Sequence, residues 1–164
     1  MKQERKWRIV ILKVKGLVLT ALLLSLVSCE SSTIYHQYQL LPDNQWSSTD
    51  TLRFEPQLPD SAVTYRLEVG LRILQTCVCR EMKIGYQYLS PTGEVLLTDQ
   101  FTMTVADENL DKTGKGVGGI YEYVQSIRPL PVTESGNYQV LVFLLQEEKL
   151  AGIHDIGVKC SRLP

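Results

Sequence analysis

The residue with the best-defined chemistry is Cys29, which follows Leu26-Val27-Ser28. A thiol accepts a diacylglycerol group by alkylation, and a small residue before it suits a signal peptidase. Cleavage after Ser28 frees the Cys29 amine for further acylation with palmitate-type chains. Each buried methylene is worth about 0.8 kcal/mol, so two or three chains hold far more firmly than one. Lys2, Arg5, Lys6, Arg8, Lys13 and Lys15 make a positive leader, and Gly16 to Ser28 is a charge-free apolar run. That order is a signal segment. An uncleaved membrane span is the competing reading. The run would form roughly 20 Å of helix, whereas the hydrocarbon core is about 30 Å thick. Lengthening it back to Ile9 would bury Lys13 and Lys15, which is costly.

Three cysteines remain: Cys77, Cys79 and Cys160. An odd set in an oxidising compartment leaves at least one thiol unpaired. Cys77-Val78-Cys79 is CxC. In an extended strand its Cα atoms would lie about 6.6 Å apart, at the long edge for a disulfide. A bridge to Cys160, with Cys79 as the candidate partner, is therefore favoured over one between Cys77 and Cys79. Three unpaired core thiols are the alternative. His36 and His154 form no metal-ligand spacing with these cysteines, and no metal or cofactor is expected.

Lys112-Thr113-Gly114-Lys115-Gly116-Val117-Gly118-Gly119 invites comparison with a phosphate loop. Gly116 stands where that motif needs Ser or Thr, and no helix pattern follows. Lys112-Thr113-Gly114 matches the KTG of serine β-lactamases, but no SxxK accompanies it. A tight loop needing positive φ is the simpler account, with Gly114, Lys115 and Gly116 as the candidate contact residues. His154-Asp155 offers two parts of a catalytic triad, but no nucleophile motif joins them. A surface turn before a last strand explains the pair as well. Trp46, Tyr86 and Tyr88 could stack on sugars; aromatics in a small β domain more often fill the core. No catalytic residue is assigned.

Positioning these groups falls to strands. Tyr65, Leu67, Val69, Leu71 and Ile73 alternate with Arg66, Glu68 and Arg72, the mark of a half-buried strand. Met82, Ile84, Tyr86 and Tyr88 repeat it, and Ser90-Pro91-Thr92-Gly93 turns into Val95–Val105. Ile34–Leu41, the 121–125 stretch and Ile153–Lys159 are further strands. Tyr138–Leu145 is apolar on both faces and reads as a central strand. A helical turn near Val105–Asp111 is the only candidate helix after residue 30. The pattern predicts an all-β fold, a single antiparallel β-sandwich of jelly-roll type over residues 34–164. It follows a signal peptide over 1–28 and a lipidated, polar tether over 29–33.

Without residues 1–28 the chain carries a net formal charge of about −6, which argues against nucleic-acid binding. Several segments resemble the gliding-motility-associated lipoprotein H (GldH) family of the Bacteroidetes. They are the lipobox at Cys29, Tyr35 to Tyr38 followed by Trp46, Leu71-Arg72, and Gly114 to Tyr121 (GKGVGGIY). Gly136-Asn137-Tyr138 and Leu150 to Val158 (LAGIHDIGV) complete the set. Where relatives tend to have an aromatic Y-x-Y-x-N stretch, this chain has Cys77-Val78-Cys79-Arg80-Glu81. The resemblance implies a lipid-anchored, non-enzymatic accessory protein of the cell envelope. In gliding members it is needed for surface motility and sits with machinery tied to secretion. The expected partners are membrane lipid through acylated Cys29 and an envelope protein. A lone Glu30 after the cysteine favours the periplasmic side of the outer membrane. A glycan-binding lipoprotein of a nutrient-uptake system is the alternative.

Overall fold

The computed structural model describes residues 32–59, 61, 63–146 and 149–163. The signal segment, Cys29 and the tether through Ser31 lie outside the described residues. No described helix is long and apolar enough to cross a membrane.

The strands, in chain order, are β1 (Thr33–Leu40), β2 (Gln45–Trp46), β3 (Thr51–Phe54), β4 (Gln57–Leu58) and β5 (Tyr65–Leu74). They continue with β6 (Glu81–Leu89), β7 (Val95–Thr104), β8 (Lys115–Val117) and β9 (Ile120–Leu130). β10 (Gly136–Asn137), β11 (Gln139–Leu144), β12 (Leu150–Ala151) and β13 (Ile153–Arg162) complete the set. One sheet runs β1-β13-β5-β9-β8 and the other β3-β11-β6-β7, with ribbons β4–β10 and β2–β12 beside them. Every pairing is antiparallel, so the expected all-β antiparallel sandwich is what the chain forms.

The period-two pattern decides which face of each strand is inside. Tyr65, Leu67, Val69, Leu71 and Ile73 are fully buried on β5, as are Met82, Ile84 and Tyr88 on β6. Val140 and Val142 join them from β11, and Val158 and Cys160 from β13. β11 is interior to its sheet, as its apolar run implies. Its outer face is only half-buried, with Phe143 lying over Gly85 on β6. Cross-sheet polar bonds close the two open sides. Backbone Glu55 N–H donates to Tyr35 Oη at 3.2 Å on the β1 side. On the other, Tyr88 Oη donates to Arg128 O, and Arg128 also pairs with Asp99 at 3.0 Å.

The helical turn expected near Val105–Asp111 does not form. An isolated bridge between Ala106 and Lys112 closes a loop there. The Asp107 carboxylate accepts backbone N–H bonds from Asn109 (2.8 Å) and Asp111 (3.0 Å), a local competitor that draws the backbone away from helix. Trp46 is fully buried, with Nε1–H donating to Asp50 O at 3.3 Å. It anchors the β2–β12 ribbon on the core. Trp46→Ala is expected to lower unfolding free energy by about 3–5 kcal/mol, the cost of an unfilled aromatic site. Urea denaturation followed by circular dichroism measures it.

Candidate functional site

Two glycines set the geometry of the five-stranded sheet's outer face. Gly70 on β5 and Gly157 on β13 are directly opposite each other. Glycine in mid-strand forfeits packing and entropy, so its presence marks a close approach. Here the approaching group is Tyr38 from the edge strand β1. A Cβ on Gly157 would stand 2.6 Å from Tyr38 Cδ1, and one on Gly70 would overlap the Tyr38 hydroxyl. The side chain thus reaches across β13 and β5 to β9, where Tyr38 Oη donates to Glu122 Oε1 at 3.1 Å.

Arg72 is the hub of what surrounds that ring. Its guanidinium carbon lies 4.0 Å from the Tyr38 ring centroid. It pairs with Glu122 at 3.1 Å and with Asp155 at 3.6 Å. A bulge between Ile153 and Asp155 shifts the register of β13 against β5. Bulges re-aim side chains; here His154 Nδ1 comes within 2.9 Å of Asp155 Oδ2. Asp155 is buried, and its Oδ1 has no hydrogen-bond partner among the described residues. Burial, then the Glu122 charge and hydrogen bond, push the Tyr38 phenol up to about 12. Burial works against the Arg72 charge, but Asp155, Tyr38 and Glu122 outweigh it and raise its pKa.

His154-Asp155 is therefore not a surface turn. It lies within β13, tied into an ion-pair network whose next member is Arg72. The motif's chemistry is that of holding charges in place: the Tyr38 hydroxyl already serves Glu122. Trp46, Tyr86 and Tyr88 are at most 2% exposed, so they are not rings on which a sugar could stack. Tyr86 and Tyr88 meet each other at 5.3 Å inside the sandwich.

The glycine-rich segment sits at one end of the sandwich. Gly118 and Gly119, at φ of 62° and 83°, turn β8 into β9, the conformation that two-residue hairpins require. Gly114 and Gly116 leave room for the Tyr123 and Tyr121 rings. Lys115 is exposed on β8, opposite Glu122 on β9. Neighbouring loops are stitched to this hairpin and to one another. Gln75 N–H donates to Gly119 O at 2.9 Å, and Lys112 Nζ donates to Cys77 O at 2.5 Å.

The cysteine pairing differs from the expectation. Cys77 bonds Cys79, and Cys160 is a free, buried thiol. The strand ends at Leu74, and Cys77 N–H turns back to Leu74 O at 3.0 Å. This contracts the Cys77–Cys79 Cα distance to 5.7 Å, well within disulfide reach. Gly152, at φ 83°, packs against Cys77. Cys160 is seven residues beyond Ile153 along β13, roughly 23 Å away in an extended strand. A Cys79–Cys160 bridge would have to span the sandwich.

The family profile described as GldH lipoprotein matches residues 33–160. No curated protein matches. Among solved structures, the chain is similar to a non-crystalline cellulose-specific carbohydrate-binding module. Identity is 13% and the TM-score 0.44, over 77% of this chain and 71% of that one. A 4-O-methyl-α-glucuronidase with specificity for decorated arabinogalactans gives 12% and 0.43, over 84% of this chain and 18% of that one. Dimeric latent PorU from Porphyromonas gingivalis gives 13% and 0.34, over 83% and 14%. All three lie below a TM-score of 0.5 and bear no functional argument.

Two measurements probe the site. Arg72→Ala strands the buried Asp155 carboxylate and is expected to cost about 2–4 kcal/mol. Adding Asp155→Asn to that background should recover part of the loss; a purely additive cycle would contradict the coupling. Burial also pushes the Cys160 thiol up to about 12 from 9.0. Between these values the unfolded chain loses a proton that the folded one keeps, so this contribution to stability falls as pH rises from 9 to 12. Iodoacetamide at pH 9 without reductant should leave the folded mature protein unlabelled and add one label after denaturation.

Proposed function

The chain belongs to the GldH lipoprotein family, and from that premise we propose that it is a non-enzymatic accessory protein of the cell envelope. Lipid on Cys29 holds it at the outer membrane on the periplasmic side, where it docks on motility or secretion machinery. The observation that carries this reading is the opposition of the sandwich's two ends. β1 begins at Thr33, four residues after Cys29, and four residues span at most about 14 Å. Thr33 pairs with Ser161, and Leu163 N–H bonds Thr64 O at that same end.

The other end carries the stitched loops. Val117 is 86% exposed at its hairpin, Val78 is 76% exposed between the bonded cysteines, and Leu110 is 46% exposed. Single exposed apolar residues are ordinary. Three at the tips of adjoining loops, each held by a disulfide, a hairpin turn or a side-chain bond, make a preorganised contact. Strands of eight to ten residues separate this end from the tether, roughly 27–33 Å. These tips and the Thr33 end therefore lie at opposite ends of the sandwich, and a neighbouring envelope protein is the occupant we assign to the tips. The aromatics that motivated glycan uptake, Trp46, Tyr86 and Tyr88, are in the core.

Affinity capture of the full-length lipoprotein from detergent-solubilised membranes should return a reproducible envelope protein. Val78→Asp with Val117→Asp should lose it without a change in thermal midpoint. No reproducible partner, or one indifferent to these substitutions, would count against the reading. Cys29→Ser should release the protein from the membrane fraction, and whole-cell protease treatment should spare the wild type.

A further inference from the structure

The outer face of the five-stranded sheet has a second side to Tyr38. Opposite the Arg72 network lies a slot of about 290 Å3. Gly157 and Gly70 line it along the same strip that lets Tyr38 lie low on the sheet. Lys159 and Glu68, paired at 3.2 Å, form the wall away from Tyr38. His36 borders it on β1, its ring T-shaped to Tyr38 at 5.5 Å. Glu122 and Val124 border it on β9. Arg72 stacks on the Tyr38 ring yet does not line the slot. The aromatic ring is thus held by Arg72 on one side and open to the slot on the other, with Glu122 reaching both.

The lining selects by chemistry. Its charges are already paired, Glu68 with Lys159 and Glu122 with Arg72, so an anionic guest would have to displace a carboxylate from its cation. A wholly apolar guest would desolvate Glu68, Glu122 and Lys159 without returning hydrogen bonds. A ring carrying hydroxyls satisfies both demands. Its C–H face can lie against Tyr38, and its hydroxyls can donate to the carboxylates and accept from the ammonium. We propose that this slot binds a neutral saccharide ring, with Tyr38 and His36 as aromatic walls and Glu68, Glu122 and Lys159 as hydrogen-bonding partners.

Ligand sites commonly span about 300–1,000 Å3, so the slot takes one ring and leaves the neighbours of a longer chain outside. Affinity per ring is then on the order of millimolar. The inference stands apart from the docking role, because the loop tips and the slot share no residue.

The test is saturation-transfer difference NMR on the full-length lipoprotein in a detergent without a sugar headgroup. The probes are glucose, galactose, mannose and xylose, their linear trisaccharides, and glucuronic acid. At least one neutral sugar should give a signal, reduced about fivefold or more by His36→Ala and by Glu68→Gln. Both sites are solvent-reachable, so thermal midpoints should hold; Tyr38→Phe supplies a third variant that keeps the ring. Val78→Asp with Val117→Asp should leave the signal intact while abolishing partner capture, which separates this site from the docking tips. Silence from every neutral sugar, signal from glucuronic acid alone, or signal indifferent to both slot variants would overturn the assignment.

Discussion

Tyr38 can cross the five-stranded sheet only because Gly70 and Gly157 face each other beneath it. Once the ring is placed there, its hydroxyl has one carboxylate to meet, Glu122, and its face has one cation, Arg72. Arg72 then fixes Asp155, whose burial would be costly without a countercharge. A polar group on a sheet exterior would ordinarily be a mobile surface feature. Here a chain of dependencies starting from two absent Cβ atoms turns the outer face into a fixed arrangement of ring, cation and carboxylates. Refilling either glycine position would dislodge the whole set, not one contact.

The same logic gives the family's sequence segments a physical content. In LAGIHDIGV, Gly152 supplies the positive φ that lets the chain pass Cys77. His154 falls at the bulge, Asp155 is the buried acid, and Gly157 is half of the trough under Tyr38. In GKGVGGIY, Gly118 and Gly119 make the turn, while Gly114 and Gly116 clear space for two tyrosine rings. What reads as one glycine-rich loop is two devices with different causes. Lys115 and Val117 leave their side chains exposed on the short edge strand β8.

Much of the fold was legible in the sequence because burial on a sheet repeats every second residue. Tyr65 to Ile73 and Met82 to Tyr88 each name their own inner face. That pattern already placed Tyr86 and Tyr88 beside Ile84 and Met82, so their sugar-stacking role conflicted with the alternation, and the structure decides for the core. The site was far less legible. Gly70 and Gly157 are distant in sequence, and nothing local in either marks a partner. Extended geometry assumed for Cys77-Val78-Cys79 gave the wrong pairing, because the backbone had already turned at Leu74. The bulge at His154 likewise depends on β5 being its neighbour, which is a fact about pairing order.

The course of β1 has a mechanical consequence. It is the outermost strand of its sheet, and it runs from the Thr33–Ser161 end toward the loop tips. A pull between the start of β1 and the far loops would act along β1, parallel to its ladder with β13. Load in that direction falls on the rungs from Thr33–Ser161 to Leu40–Asp155 together, in shear, and does not peel them one at a time. Tyr38 adds a crossbar, since sliding β1 past β13 would drag its ring out of the glycine trough and away from Arg72 and Glu122. The edge strand, which is the weak margin of most sheets, is here locked by a side chain as well as by its ladder.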